Sequence, residues 1–408
     1  MFEFGKDLRK LFAQARESDD LSWVELIGVD LVRGEAARQS TDAGRVSCAH
    51  PFPAWLRASA LWREHARRTG LATSLDRADS AAADALKAAR TDHDRARAEL
   101  ERTEIALLRF DLCGGLEHLA TAEAALAVRP GLCRETASAH ARLKARQARL
   151  TQDASALLDA AALLDAALHD LATSPSTARD MLRMERAQLG LEAGLKQRDA
   201  RLLDQAGRDL RTLVEGAAPD DRPLTRARAL AVCGLGLRVL AELARDEAAM
   251  AQGGAMFDAA ADQFTPDHSP LDWVAIQVLR ADDLPVEILS QAQALSTGGG
   301  LVLGALAREA RFAREAALAE ANGDVNRLDA LDSALRKRLA RPAAGDGPLD
   351  WAADQIGLAH VALARERLTD TRAPAIGMML VEAAETARER GVDALAARAD
   401  RLRVQVAA

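Results

Sequence analysis

Two short stretches of this 408-residue chain carry the residue types of metal ligands. Cys48-Ala49-His50 offers a thiolate and an imidazole, and Asp92-His93-Asp94 offers two carboxylates around an imidazole. A structural zinc site needs four such ligands, and Cys48-Ala49-His50 is the only close Cys/His pair, so it reads as two incidental loop residues. Neighbouring residues on a helix point in different directions, so Asp92-His93-Asp94 reads as a helix start. Ser296-Thr297-Gly298-Gly299-Gly300 is glycine-rich like a phosphate cradle, but no Lys-Ser/Thr follows it. Three glycines in a row instead predict a flexible turn or a hinge. Arg63-Glu64-His65-Ala66-Arg67-Arg68 reads as a solvated charged face. No Gly-x-Ser-x-Gly elbow, His-Glu-x-x-His pair or dinucleotide glycine fingerprint occurs. The residues therefore predict no catalytic centre, no metal site and no cofactor.

What recurs is a helix start. Ser269-Pro270-Leu271-Asp272-Trp273 returns as Gly347-Pro348-Leu349-Asp350-Trp351, each followed four residues after the Trp by a glutamine, Gln277 and Gln355. Weaker echoes stand at Ser174-Pro175-Ser176-Thr177 and Arg222-Pro223-Leu224-Thr225. Proline suits the first helical position, where its missing N–H would have been unpaired. Asp272 and Asp350 fall in the first turn, where a carboxylate can reach back to the cap and meets the positive end of the helix dipole. The prolines are spaced by about one repeat: Pro130 to Pro175 is 45 residues, Pro175 to Pro223 is 48, and Pro223 to Pro270 is 47. Pro270 to Pro348 is 78 and Pro53 to Pro130 is 77, room for two repeats each. A repeat this long holds two antiparallel helices and their turns. The second helices share a Leu- and Ala-rich pattern at helical intervals, as in Leu157–Leu168, Gly115–Leu126 and Leu202–Leu210. Gly323-Asp324 reads as the turn between the two helices of one repeat.

On these starts, their glutamines and the Ala-rich second helices, the chain resembles the tetratricopeptide repeat family in its longer bacterial form. The resemblance extends over roughly residues 53–400. It departs from the family's usual repeat of about 34 residues and, with no Tyr in the chain, from its usual Tyr. It implies an all-α fold, a right-handed α-solenoid of antiparallel helix pairs. It further implies protein–protein interaction, with a partner peptide or helix in a concave groove lined by the first helices.

Composition agrees with helix and sets limits. Aromatics are 3% of residues, so close Ala-lined packing must replace a large aromatic core. The net charge of −7 with mixed signs argues against a general nucleic-acid binder. No uncharged apolar run approaches the length of a transmembrane helix. The early acids of Met1–Asp7 are unlike a secretory signal, and Cys48, Cys113, Cys133 and Cys233 lack paired spacing. These features predict a cytoplasmic protein.

Taken in order, residues 1–16 form an amphipathic helix with Phe4, Leu8, Leu11 and Phe12 on one face. This face folds back on the first repeat, docks on a partner or sits in a membrane interface. Residues 17–52 make an N-terminal helical or cap region. Leu21–Val32 in it read as a buried helix, or a short strand leading into helix, and residues 38–53 as polar and turn-rich. Residues 53–391 carry about eight helix pairs, the sixth interrupted at Ala281-Asp282-Asp283-Leu284-Pro285. Residues 392–408 form a capping helix. Trp273 and Trp351 read as packing residues between repeats. Gln277 and Gln355, one turn on, bond a neighbouring loop or face the groove as partner-binding residues. The leading expectation is a non-catalytic scaffold or adaptor that binds another protein. The alternative is a ligand- or peptide-responsive helical-repeat sensor hinged near 298–300. Neither the partner's identity nor the oligomeric state follows from the sequence.

Overall fold

The structure, a computed structural model, describes residues 21–127, 135–171, 176–296, 301–369 and 376–407. Residues 1–16 with Phe4, Leu8, Leu11 and Phe12, and the glycines at 298–300, lie outside the described residues. The chain is all-α. After a 3-10 turn at Ser22–Leu26 come α1 (Val29–Ala43), α2 (Pro51–Thr69), α3 (Ala72–Ala88), α4 (Asp92–Cys113) and α5 (Leu116–Ala127). Next are α6 (Glu135–Thr151), α7 (Ala154–Asp170), α8 (Ser176–Gln197), α9 (Ala200–Gly216), α10 (Pro223–Ala244) and α11 (Glu247–Ala261). Then follow α12 (Pro270–Leu279), a 3-10 turn at Ala281–Asp283, α13 (Val286–Leu295), α14 (Val302–Ala321) and α15 (Val325–Ala340). The last are α16 (Pro348–Thr369), α17 (Ile376–Glu389) and α18 (Asp393–Ala407). No strand occurs among the described residues.

The ends of these helices follow from local chemistry. At α4, Thr91 Oγ1 accepts the Asp94 N–H at 3.0 Å and Asp94 Oδ2 accepts the Thr91 N–H at 3.1 Å. Asp92-His93-Asp94 is thus a helix start closed by a capping box. At α16 the Gly347 N–H donates to Asp350 Oδ2 at 2.8 Å, the reach-back that the repeated start predicts. The turn between the two helices of a pair recurs in one form, a left-handed residue followed by a capping aspartate. Gln152, Arg198, Arg245 and Gly323 have φ of 56, 55, 56 and 64°. Asp153, Asp199, Asp246 and Asp324 follow them, and each accepts a backbone N–H from the first turn of the next helix at 2.8–3.0 Å. The helix begins at Pro51 rather than Pro53. Helix α1 runs on through Gln39–Ala43, where a turn-rich stretch was expected. Ser40 and Thr41 donate to the carbonyls of Ala36 and Ala37 and so satisfy themselves inside the helix.

The chain divides into two compact units: Met1–Glu64 with Ala78–Glu104 and Ala122–Ser269, and His65–Arg77 with Ile105–Thr121 and Pro270–Ala408. In the first, α6 to α11 each pack on the next helix. Leu157, Leu164 and Leu171 meet Leu182 and Leu189, with Ala141, Ala145 and Ala148 filling the close approaches. Ion pairs tie successive first helices together at intervals near one repeat. Arg63 grips Glu101 through two bonds of 2.8 and 3.1 Å, Arg142 pairs with Glu104, and both Arg142 and Arg146 donate to Glu185. In the second unit, α14 packs along α16, which packs on α15 and α17. Phe312, Leu328, Leu335, Leu358 and Val361 form one core, and Leu349, Ile356, Leu380 and Leu395 another. Trp351 is partly buried against the second of these cores, and Trp273 against a third formed by Val274, Val278, Ala292 and Ala307.

Contacts also run well beyond neighbouring pairs. In the first unit Glu25, 5% exposed, accepts the Thr225 N–H at 2.8 Å and the Thr225 hydroxyl. Arg222, the residue at the cap position of α10, supplies no side-chain bond there, so a carboxylate 200 residues away does the capping. Glu25→Ala leaves the Thr225 N–H without this acceptor and is expected to cost about 1–2 kcal/mol, the size of a lost N-cap. Urea unfolding measures the loss, and amide exchange should localise it to the start of α10.

Arg63–Arg68 is not a solvated face. His65 and Arg68 are 3% and 0% exposed. Arg63 is held by Glu101 in the first unit. In the second, His65 Nδ1 lies 2.9 Å from Ser74 Oγ and Arg67 pairs with Asp272 at 3.4 Å. Partners more than 30 residues away, invisible to a local pattern, make burial of Arg63 and Arg67 tolerable.

Candidate functional site

In the second unit, the first helices of successive pairs expose a trough. Residues of α14, α16 and α18, with the 3-10 turn at Ala281–Asp283, line a cavity of about 450 Å³. Ala313, Ala316 and Ala317 on α14 and Ala364 on α16 make its floor. These positions recur at i, i+3 and i+4 and so share a helix face. Small side chains there leave room for another backbone.

The rim is charged and mostly paired. Arg367 Nη1 meets Glu320 Oε2 at 2.9 Å, and Arg367 Nη2 donates to Gln405 Oε1 at 3.4 Å. Arg314 donates to the Leu284 carbonyl at 2.9 Å. Asp282 is exposed and has no ion-pair partner among the described residues. His360 enters from α16, with Nε2 3.0 Å from Glu309 Oε1. Burial alone would raise the Glu309 carboxyl; the Arg398 charge and the His360 bond more than offset it and hold the group at about 2. Glu309 is therefore a fixed anion that joins α14 to α16 and α18.

The lining contains no Ser, Thr, Cys or Lys that could act as a nucleophile, and the His360 Nε2 is already engaged. No group of three or more His, Cys, Asp or Glu among the described residues could hold a metal ion. Cys48, Cys113 and Cys233 are free thiols. The chemistry this arrangement offers is binding, through a small-residue floor and a polar rim.

The glutamines of the repeated starts lie elsewhere. Gln277 is 4% exposed on α12. Gln355 is half-buried on α16, and its Oε1 has no hydrogen-bond partner. Next to it, Asp354 sits among Asp346, Asp350, Arg308 and Arg338. Burial pushes the Asp354 carboxyl up despite the two guanidinium groups. The trough residues His360, Arg367 and Asp282 carry no local motif. The signal that could have found them is position, since His360 and Arg367 stand seven residues apart on one face of a first helix.

No helix among the described residues is long and apolar enough to cross a membrane. No family model and no curated protein matches the chain. It is similar to a solved structure described as a circular tandem repeat protein with novel repeat topology and enhanced subunit contact surfaces. That match has 16% identity, covers 93% of this chain and 88% of that one, and has a TM-score of 0.17. Eighteen α-helices are described, and α6 to α11 and α12 to α18 each pack on the next within their units, an all-α arrangement of the helical-repeat kind.

Proposed function

We propose that the protein is a non-catalytic interaction scaffold of the cytoplasm, a tetratricopeptide-like solenoid that holds a segment of a partner protein along first helices. The observation that carries this reading is the trough of α14, α16 and α18, with its alanine floor and charged rim. A helix or extended strand can lie on such a floor without displacing side chains. The free carboxylate of Asp282 favours a basic side chain on that partner, and the Glu320–Arg367 pair sets orientation more than affinity. Residues 1–16, with Phe4, Leu8, Leu11 and Phe12, supply a second docking element for the same partner. Gln277 and Gln355 do not line the trough and take no part in this reading. Nucleic acid is not the intended ligand, since the net charge is −7.

The test compares affinity capture by the full chain, by Ala317→Arg and by a chain lacking residues 1–16, at normal expression level in the native host. Ala317 is exposed, so arginine there fills the trough without disturbing a core. A stoichiometric partner should be retained by the wild type and lost from Ala317→Arg, with affinity falling at least about tenfold, the effect of about 1.4 kcal/mol. A partner that binds Ala317→Arg as well as the wild type would remove the trough from the reading.

A further inference from the structure

The first compact unit holds a second cavity, of different character. Helices α8, α9, α10 and α11 surround about 370 Å³, within the size range of small-molecule sites. Leu191, Leu203, Leu230, Leu240 and Met256 form its walls. All are apolar, and unfilled apolar walls forfeit packing contacts. Gly207 of α9 lines it too, and a Cβ built there would meet nothing within 4 Å. Glycine inside a helix is poorer than alanine, and no close neighbour demands it at this position. Its effect is to keep the space open.

The mouth is polar in one sense only. Arg211 and Gln252 line it and are exposed, and no carboxylate lines it. Arg211 makes no ion pair or hydrogen bond among the described residues, whereas Arg146 and Arg149 on α6 and Arg186 on α8 are paired with acids. Cys233 also lines the cavity. Burial pushes its thiol up to about 11, although the Arg211 charge acts the other way, so the interior stays uncharged near neutral pH.

We propose that this cavity binds an amphiphilic monocarboxylate with a medium-length alkyl chain, the tail among the leucines and the carboxylate on Arg211. A planar guanidinium fits the two oxygens of a carboxylate, and the Gln252 amide can donate beside it. The site is independent of the α14–α16–α18 trough, and its failure would leave the scaffold reading where it stands.

Calorimetric titration of the full chain with decanoate, decanol and decyltrimethylammonium, all below their micellar concentrations, tests this. Decanoate should bind one to one and at least about tenfold tighter than the cation, the order of one charge-assisted contact. Gly207→Leu, which fills the cavity from a helix position with room for a side chain, should weaken decanoate and decanol alike by at least about tenfold. Arg211→Gln, on the surface, should weaken decanoate by about tenfold and leave decanol unchanged. The proposal fails if no probe binds, if the anion and cation bind equally, or if both variants bind decanoate like the wild type. It also fails if sedimentation shows the wild type self-associating and Gly207→Leu monomeric, since a second copy would then be the occupant.

Discussion

Glu185→Gln is expected to lower the unfolding free energy by about 3–5 kcal/mol, the cost of removing one partner from a buried ion pair. Glu185 is 9% exposed on α8 and takes bonds from Arg142 Nε at 2.9 Å and Arg146 Nη2 at 3.3 Å. Both guanidinium groups are themselves nearly buried, at 7% and 6% exposure. A neutral amide would take one carboxylate away from two desolvated cations, with Glu104 still beside Arg142. The same carboxylate makes stability depend on pH. Burial would raise it, but Arg142 and Arg146 bring it down to about 2, from an ordinary 4.5. Its contribution is therefore complete above about 4.5 and is lost as the pH falls towards 2. Glu309 is held at about 2 in the second unit and loses its contribution over the same window. Urea unfolding at pH 7 and pH 3 checks both statements. The wild type should weaken on acidification, and Glu185→Gln should begin weaker and fall less steeply. A change below about 1 kcal/mol at pH 7, the value of an exposed pair, would mean that these charges are solvated.

Much of the helix order was legible because it is written in residues that act locally. Proline at the first helical position, aspartate in the first turn and Leu/Ala at helical intervals mark Pro223, Pro270 and Pro348 as starts, and helices begin there. The break at Ala281–Pro285 was legible for the same reason, since Leu284-Pro285 cannot continue a helix. The turn signal was there too but was read only at Gly323-Asp324. Gln152-Asp153, Arg198-Asp199 and Arg245-Asp246 are the same turn without its glycine, so composition hid them. What local pattern could not give is contact at a distance. Glu25 caps a helix 200 residues away. Arg142 looks like one more surface arginine until Glu104 and Glu185, 38 and 43 residues off, close on it. The trough was missed for a related reason. Its floor is alanine, which in this chain also fills many close helix contacts, and only the packing decides which alanines meet a neighbour and which meet solvent.

Gly114→Ala is expected to cost about 3 kcal/mol, and the figure separates into parts that can be tested. Gly114 has φ +66°, where a Cβ costs about 1–2 kcal/mol. The added Cβ would also lie 2.5 Å from the Arg390 carbonyl oxygen and 3.1 Å from Val392 Cγ2. The oxygen belongs to the backbone and cannot swing away. Relieving the clash must push the α4–α5 turn off the α17–α18 turn and stretch the Gly115 N–H bond to Arg390, now 2.8 Å and worth about 1 kcal/mol. Gly323→Ala is the control in the same unit. Its φ is +64°, but a Cβ there meets nothing within 4 Å, so it should lose the conformational part alone. Urea unfolding of the two variants side by side reads the difference, and the Gly115 amide should lose exchange protection only in Gly114→Ala. Equal costs would show that these two turns, some 270 residues apart in sequence, do not close on each other in solution. A larger cost for Gly114→Ala would show that the folded chain depends on contacts between distant turns as well as on the stacking of neighbouring pairs, which a strictly one-dimensional repeat array does not.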